Sequence, residues 1–141
     1  MRIAGFPIHP SRRLALIPAL LCVVFAASCD SPCENTTISE AVSPDGSLKA
    51  VVIERDCGAT TGFSTQVSLL KASDSLPDSS GNLFDADDDH GKAASGPGGG
   101  PKVQLQWESN TRLRISFDPK ARVFKQTTHL YSVDVIYSPL P

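Results

Sequence analysis

Four things are missing from this chain. Its longest apolar run, Leu14 to Ala27 (LALIPALLCVVFAA), is 14 residues, too short for a transmembrane helix, which needs roughly 20. Positive charge is not in excess: 13 Lys and Arg face 15 Asp and Glu, so neither phosphate backbones nor an anionic lipid surface would attract the chain, and no nucleic-acid role is expected. Beyond the N-terminal region no ten-residue stretch repeats apolar side chains at helical spacing, which leaves strands to bury a core. No unit of about 40 residues recurs, which excludes a propeller or other repeat architecture.

What is present begins with an export signal. Arg2, Arg12 and Arg13 precede the apolar run, and the run ends in small side chains, so residues 1–28 read as a signal peptide. Ala26-Ala27-Ser28-Cys29 resembles a bacterial lipobox, although Ala26 stands where Leu is usual. In a lipobox the last residue, here Cys29, becomes the lipid-carrying N-terminus, and the membrane is then a partner through that anchor. Ala26 and Ser28 also fit the small-x-small pattern of ordinary signal peptidase, which would give a secreted or soluble periplasmic protein. Removal of the signal leaves 10 basic against 15 acidic side chains, so the lipid, not charge, would hold the domain to the membrane. Asp30 resembles the signal that keeps Gram-negative lipoproteins on the periplasmic face of the inner membrane.

Cysteine arithmetic agrees with acylation. Of Cys22, Cys29, Cys33 and Cys57, the first leaves with the signal and the second takes the lipid. Cys33 and Cys57 remain, an even pair in an oxidising compartment, and a disulfide between them is expected. Closing that 24-residue loop is worth roughly 3 kcal/mol. Cys57 as a nucleophile would instead need His90 or His129 as a base and a lowered thiol pKa, with only Arg55 nearby in sequence to supply it.

The mature chain reads as a tether, residues 29–37, and one β-rich domain, residues 38–141. Ile38 to Val42 and Leu48 to Asp56 flank the turn Ser43-Pro44-Asp45-Gly46 and form a hairpin. Ser64 to Lys71 alternates as a further strand. Residues 72–101, rich in Ser, Asp, Gly and Pro, read as one long loop. Val103, Leu105 and Trp107 alternate with polar residues, as do Leu113, Ile115 and Phe117, which predicts an amphipathic hairpin with Trp107 and Phe117 buried. Val123 and Phe124 start another strand, and Tyr131, Val133, Val135 and Tyr137 mark the inward face of the last. The expected fold is all-β: a small antiparallel β-sandwich or open barrel of about six or seven strands, with an N-terminal signal segment and one long loop.

Two candidate sites stand out. Asp85, Asp87 and Asp89 with His90 and Gly91 invite a calcium reading, but an EF-hand counted from Asp85 wants Gly and Glu where His90 and Gly96 stand. A solvated acidic loop is the expectation, with no metal and no cofactor. The turn Gly58, Thr60, Thr61, Gly62 and Ser64 offers hydroxyls and backbone freedom that would frame a small ligand, yet it has no Lys and no Walker spacing. Lys102, Arg112, Arg114, Lys120, Arg122 and Lys125 predict a basic face in the last third.

The runs SPDG, VVIERDCGATTGFSTQVSLL, GNLF, DDDHG, GPGGGP and VQLQW together resemble a group of short uncharacterised bacterial proteins, exported or lipid-anchored, built around a CGATTGFST-like core. The resemblance spans residues 42–137 and implies no activity and no catalytic residue. The expected function is that of a non-enzymatic cell-envelope lipoprotein with a binding or structural role and an unknown protein partner. The alternatives are a secreted inhibitor or immunity-type protein binding through residues 72–101, and a thiol-dependent hydrolase centred on Cys57.

Overall fold

The computed structural model describes residues 33–58 and 61–141; the signal segment, Cys29, Ala59 and Thr60 lie outside the described residues. The described residues form nine strands in chain order: β1 (Glu34–Val42), β2 (Leu48–Asp56), β3 (Ser64–Lys71), β4 (Phe84–Asp87), β5 (Val103–Ser109), β6 (Arg112–Phe117), β7 (Arg122–Gln126), β8 (His129–Leu130) and β9 (Val133–Pro139). They form a five-stranded sheet, β1-β2-β3-β4-β7, and a four-stranded sheet, β5-β6-β9-β8. Among the described residues no helix is long and apolar enough to cross a membrane.

The first hairpin forms where the sequence predicts. Gly46 takes the left-handed φ of 73° that closes the turn, and the Asp45 carboxylate accepts from the Ser43 hydroxyl and from the Ser47 N–H and hydroxyl. Those bonds, the Ser43 one first, hold the Asp45 carboxyl below its ordinary range. β1 starts earlier than expected, inside the tether, because Glu34 to Thr37 continue the ladder opposite Ile53 to Asp56.

Both faces of β2 are covered. Ala50 and Val52 join Val67, Leu69, Phe84 and Ala86 on the inner face, where Leu113, Ile115, Val133 and Val135 of the second sheet meet them in one core. Val51 and Ile53 point the other way and are just as buried. Residues 77–82 lie across this outer face: Asn35 Nδ2 donates to the Pro77 and Ser79 carbonyls at 3.1 and 2.8 Å, and the Gly81 N–H donates to Gln66 Oε1 at 2.7 Å. A Cβ on Gly81 would stand 2.8 Å from the Val67 carbonyl, so only glycine lets the segment come this close. Asn82 then completes the edge of β3 with its amide, accepting from the Leu69 N–H at 2.7 Å and donating to the Leu69 carbonyl at 2.9 Å.

The long loop expected at residues 72–101 is therefore interrupted by a strand. β4 pairs with β3 on one side and β7 on the other, and Leu83, Phe84 and Ala86 are fully buried. Burial of Phe84 against Phe117 and Tyr137, with ring centroids 4.9 and 5.9 Å away, is what draws it in. The glycine-rich end of the same stretch closes over the core: a Cβ on Gly100 would lie 2.5 Å from Thr65 Oγ1.

The second sheet departs from an all-antiparallel plan, since β6 and β9 pair in parallel. Between them the chain crosses to the first sheet as β7 and returns through β8, a connection that satisfies the need of parallel neighbours for a long crossover. Two aromatic tips fasten the sheets to each other. Trp107 Nε1–H donates to the Ala41 carbonyl at 2.9 Å, and the Tyr137 hydroxyl lies 2.9 Å from both the Leu83 and Thr127 carbonyls. Burial pushes the Tyr137 pKa up to about 12, so the hydroxyl keeps its proton.

Tyr131 is not inward, contrary to the alternation. With Ser132 it occupies the two-residue turn between β8 and β9, at φ 49° and 63°, and its side chain is exposed. Two left-handed residues in a hairpin turn favour Asn-Gly. The double substitution Tyr131→Asn/Ser132→Gly should raise stability by about 1 to 2 kcal/mol by removing that left-handed cost, read as a higher urea midpoint at unchanged slope; a lower midpoint contradicts the assigned turn.

Candidate functional site

Strand register builds the site. Asn35 of β1, Arg55 of β2, Ser64 of β3, Asp87 of β4 and Arg122 of β7 are successive cross-strand partners, a row of polar side chains across all five strands. Directly opposite residues share a face, so these five stand on the outer face of the first sheet. The next row on that face is Thr37, Ile53, Gln66, Asp85 and Lys125. At the end of the sheet nearest the first row the face hollows into a cleft of about 580 Å³, lined also by Cys33, Cys57, Thr61, Gly62, Ser80, His90 and Phe124.

The Cys33–Cys57 disulfide is formed, with Cα atoms 4.1 Å apart. It sits one step beyond the Glu34–Asp56 pair and so caps the β1–β2 ladder at the rim of the cleft. The sulfur of Cys57 is thereby committed to Cys33 and is not a thiolate. His90 lines the same cleft, whereas His129 is on the second sheet, 2.9 Å from Asp134.

The charges of the first row are held in place. The Arg122 guanidinium grips the Asp87 carboxylate in a two-pronged contact, Nε at 3.1 Å from Oδ1 and Nη2 against Oδ2, and lies 5.1 Å from the centre of the Phe124 ring. Arg55 has only 13% of its side chain exposed; its Nη1 donates to Asn35 Oδ1 at 2.7 Å and lies 3.9 Å from Asp78. Gln66 Nε2 donates to Ser64 Oγ at 2.9 Å.

Two carboxylates two residues apart are pushed in opposite directions. Burial raises the Asp85 pKa, against the lowering influence of Gln66, Lys125 and Ser64, and Asp85 Oδ1 is buried without a hydrogen-bond partner. Burial also works against the charge on Asp87. There the Arg122 fork and the N–H of Asp89, which donates to Oδ1 at 3.0 Å, outweigh it and hold the carboxyl below its ordinary range.

The two candidate sites read separately in the sequence meet here. Thr61, Gly62 and Ser64 of the turn line one wall, and Asp85 and Asp87 line the other. Gly58, at φ 100°, leads the chain into the turn, and its carbonyl accepts from the Thr61 N–H and hydroxyl at 3.1 and 3.0 Å; Thr60 lies outside the described residues. Asp89 turns aside at φ 48° to pair with Lys92 at 2.7 Å. Among the described residues no three His, Cys, Asp or Glu side chains are grouped to hold a metal ion. Gln66 and Phe124 entered no candidate site in the sequence, Arg122 figured only in the basic face, and Arg55 only as an aid to a thiolate. Their signal is the register, which appears once the strands are paired. The expected basic face is divided: Arg114 pairs with Glu108 on the second sheet, Arg122 with Asp87 in the cleft, and Lys125 donates to the Gly81 carbonyl at 2.8 Å.

An acid whose folded pKa is raised binds protons more readily when folded, so it weakens the fold as pH climbs from 3.8, the unfolded value, through the folded pKa. Asp85→Asn should therefore raise the thermal midpoint at about pH 7, with the gain fading toward about pH 3, where Asp85 is protonated in both states. A loss at neutral pH, or a gain that does not depend on pH, contradicts the assignment.

Comparison with family models, with curated proteins and with solved structures finds no match to this chain.

Proposed function

We propose that this chain is an exported, lipid-anchored cell-envelope domain that acts by recognition and not by catalysis, with the outer-face cleft as its binding site. The two sheets are read as an open β-sandwich, because the edges of β1 and β5 approach through the Trp107–Ala41 contact without a continuous ladder. The observation that carries the binding reading is the polar row from Asn35 to Arg122. It presents fixed charges of both signs, each oriented by a neighbour, as recognition of a polar partner requires. Cys57, the nucleophile a thiol hydrolase would use, has its sulfur bonded to Cys33, which favours recognition over chemistry.

The anchoring reading fits the same geometry. Three residues lie between Cys29 and Cys33, a span of roughly 14 Å over four steps at full extension, so a lipid on Cys29 would keep the cleft close to the membrane surface. The inhibitor alternative relied on residues 72–101 as a free binding loop. Much of that stretch is instead built into the sheet and its cover.

Two measurements test this. The mass of the mature chain should show a diacyl or triacyl addition at Cys29, and release as an unmodified soluble chain contradicts the anchor. A photo-crosslinking residue placed at Ser64 should capture adducts in cells that the same residue at Gln104, on the second sheet, does not. Equal capture from both positions, or none from Ser64, contradicts recognition through the cleft.

A further inference from the structure

We infer that the Cys33–Cys57 disulfide is a redox latch on the cleft, whose reduction opens one end of the first sheet without unfolding the domain. The argument follows the hydrogen bonds outward from the bridge. Two residues inside it on each strand, Asn35 and Arg55 face each other in register, and the Arg55 guanidinium donates to Asn35 Oδ1 at 2.7 Å. The amide nitrogen of the same Asn35 donates to the Pro77 and Ser79 carbonyls. Asn35 therefore joins three things: the strand end fixed by the disulfide, the cation of the cleft, and the segment that covers the outer face.

β1 has its own breakpoint. Its ladder with β2 shifts register between Thr37 and Ser39, so the four residues Glu34 to Thr37 form a short edge segment separated from the rest by a bulge. Among the described residues no strand pairs with them on the other side, because β1 is the edge of its sheet. A short edge segment is where local opening is least costly. With the bridge intact, Cys33 closes its free end. With the bridge broken, Glu34 to Thr37 keep, among the described residues, one half of a ladder and the bonds of Asn35.

Cys33 and Cys57 are both half-buried and line the cleft, which is where a reductant would meet the bridge. The reductant is a protein dithiol. Its thiolate attacks one sulfur, the S–S bond breaks, and a mixed disulfide forms. The second thiol of the reductant then displaces it, leaving Cys33 and Cys57 as two thiols and the reductant as a disulfide, with two electrons and two protons transferred in all. Once Glu34 to Thr37 move away, Arg55 loses its Asn35 partner and residues 77–82 lose their tie to β1. The first cation of the cleft is then free to reorient. That effect on binding rests on the cleft being the recognition site; the latch itself does not and is measured apart from any ligand.

Hydrogen exchange followed by mass spectrometry on the full mature chain tests it, with and without dithiothreitol. Reduction should speed exchange about tenfold or more in residues 34–37 and 77–82, while residues 65–69, 113–117 and 133–137 keep their protection. The oxidised Asn35→Ala variant should loosen residues 77–82 alone, with the bridge still closed, and Cys33→Ser/Cys57→Ser should reproduce the reduced pattern. Unchanged exchange on reduction overturns the latch, and so does acceleration spread over both sheets, which would make the bridge a global staple. Crosslinking from Ser64 that responds to reduction extends the latch to binding, and unresponsive crosslinking alongside the predicted exchange removes only that extension.

Discussion

The structure depends on one insertion: four residues, Phe84 to Asp87, entering the first sheet between β3 and β7. Without this strand β7 has no partner, and the row from Asn35 to Arg122 stops at Ser64. The insertion is driven by burial. Phe84 and Ala86 complete the inner face against the second sheet, and fully burying a side chain such as Phe84 contributes about 1.5 to 3 kcal/mol. What the inner face gains fixes the outer face as well, because side chains alternate along a strand. Asp85 and Asp87 are turned outward by the same pairing that turns Phe84 and Ala86 inward, and one of them finds Arg122 while the other does not.

That asymmetry gives the cleft its character. Asp87 is neutralised by a two-pronged guanidinium contact, whereas Asp85 keeps a buried oxygen without a partner. A stability-driven sequence would place a neutral residue at Asp85, because the cost there is that of burying a carboxylate. The Cys33–Cys57 disulfide and Ser80 of the covering segment line the same cleft.

The sequence disclosed what depends on local pattern. The SPDG turn, the strict alternation from Val103 to Phe117, and the pairing of Cys33 with Cys57 by elimination are each a matter of adjacent residues or of counting. β4 escaped because a four-residue strand with two outward carboxylates is indistinguishable from an acidic loop until its partners are known. Its length lies below what periodicity can register. The parallel pairing of β6 with β9 escaped for a similar reason, since it links segments separated by an excursion into the other sheet. As for the cleft, its chemistry was visible residue by residue in Asp85, Asp87 and Ser64, but its geometry was not. Arg122 meets Asp87 across 35 positions of chain, and only the register brings them together.

The cleft takes its shape from β4 as a paired strand. Solution NMR of the oxidised mature domain tests this most directly. Interstrand backbone contacts from Ala86 to Thr65 on one side and to Val123 on the other are expected, with strand-like chemical shifts from Phe84 to Asp87. Random-coil shifts over those four residues, with no contact to either neighbour, would contradict the account.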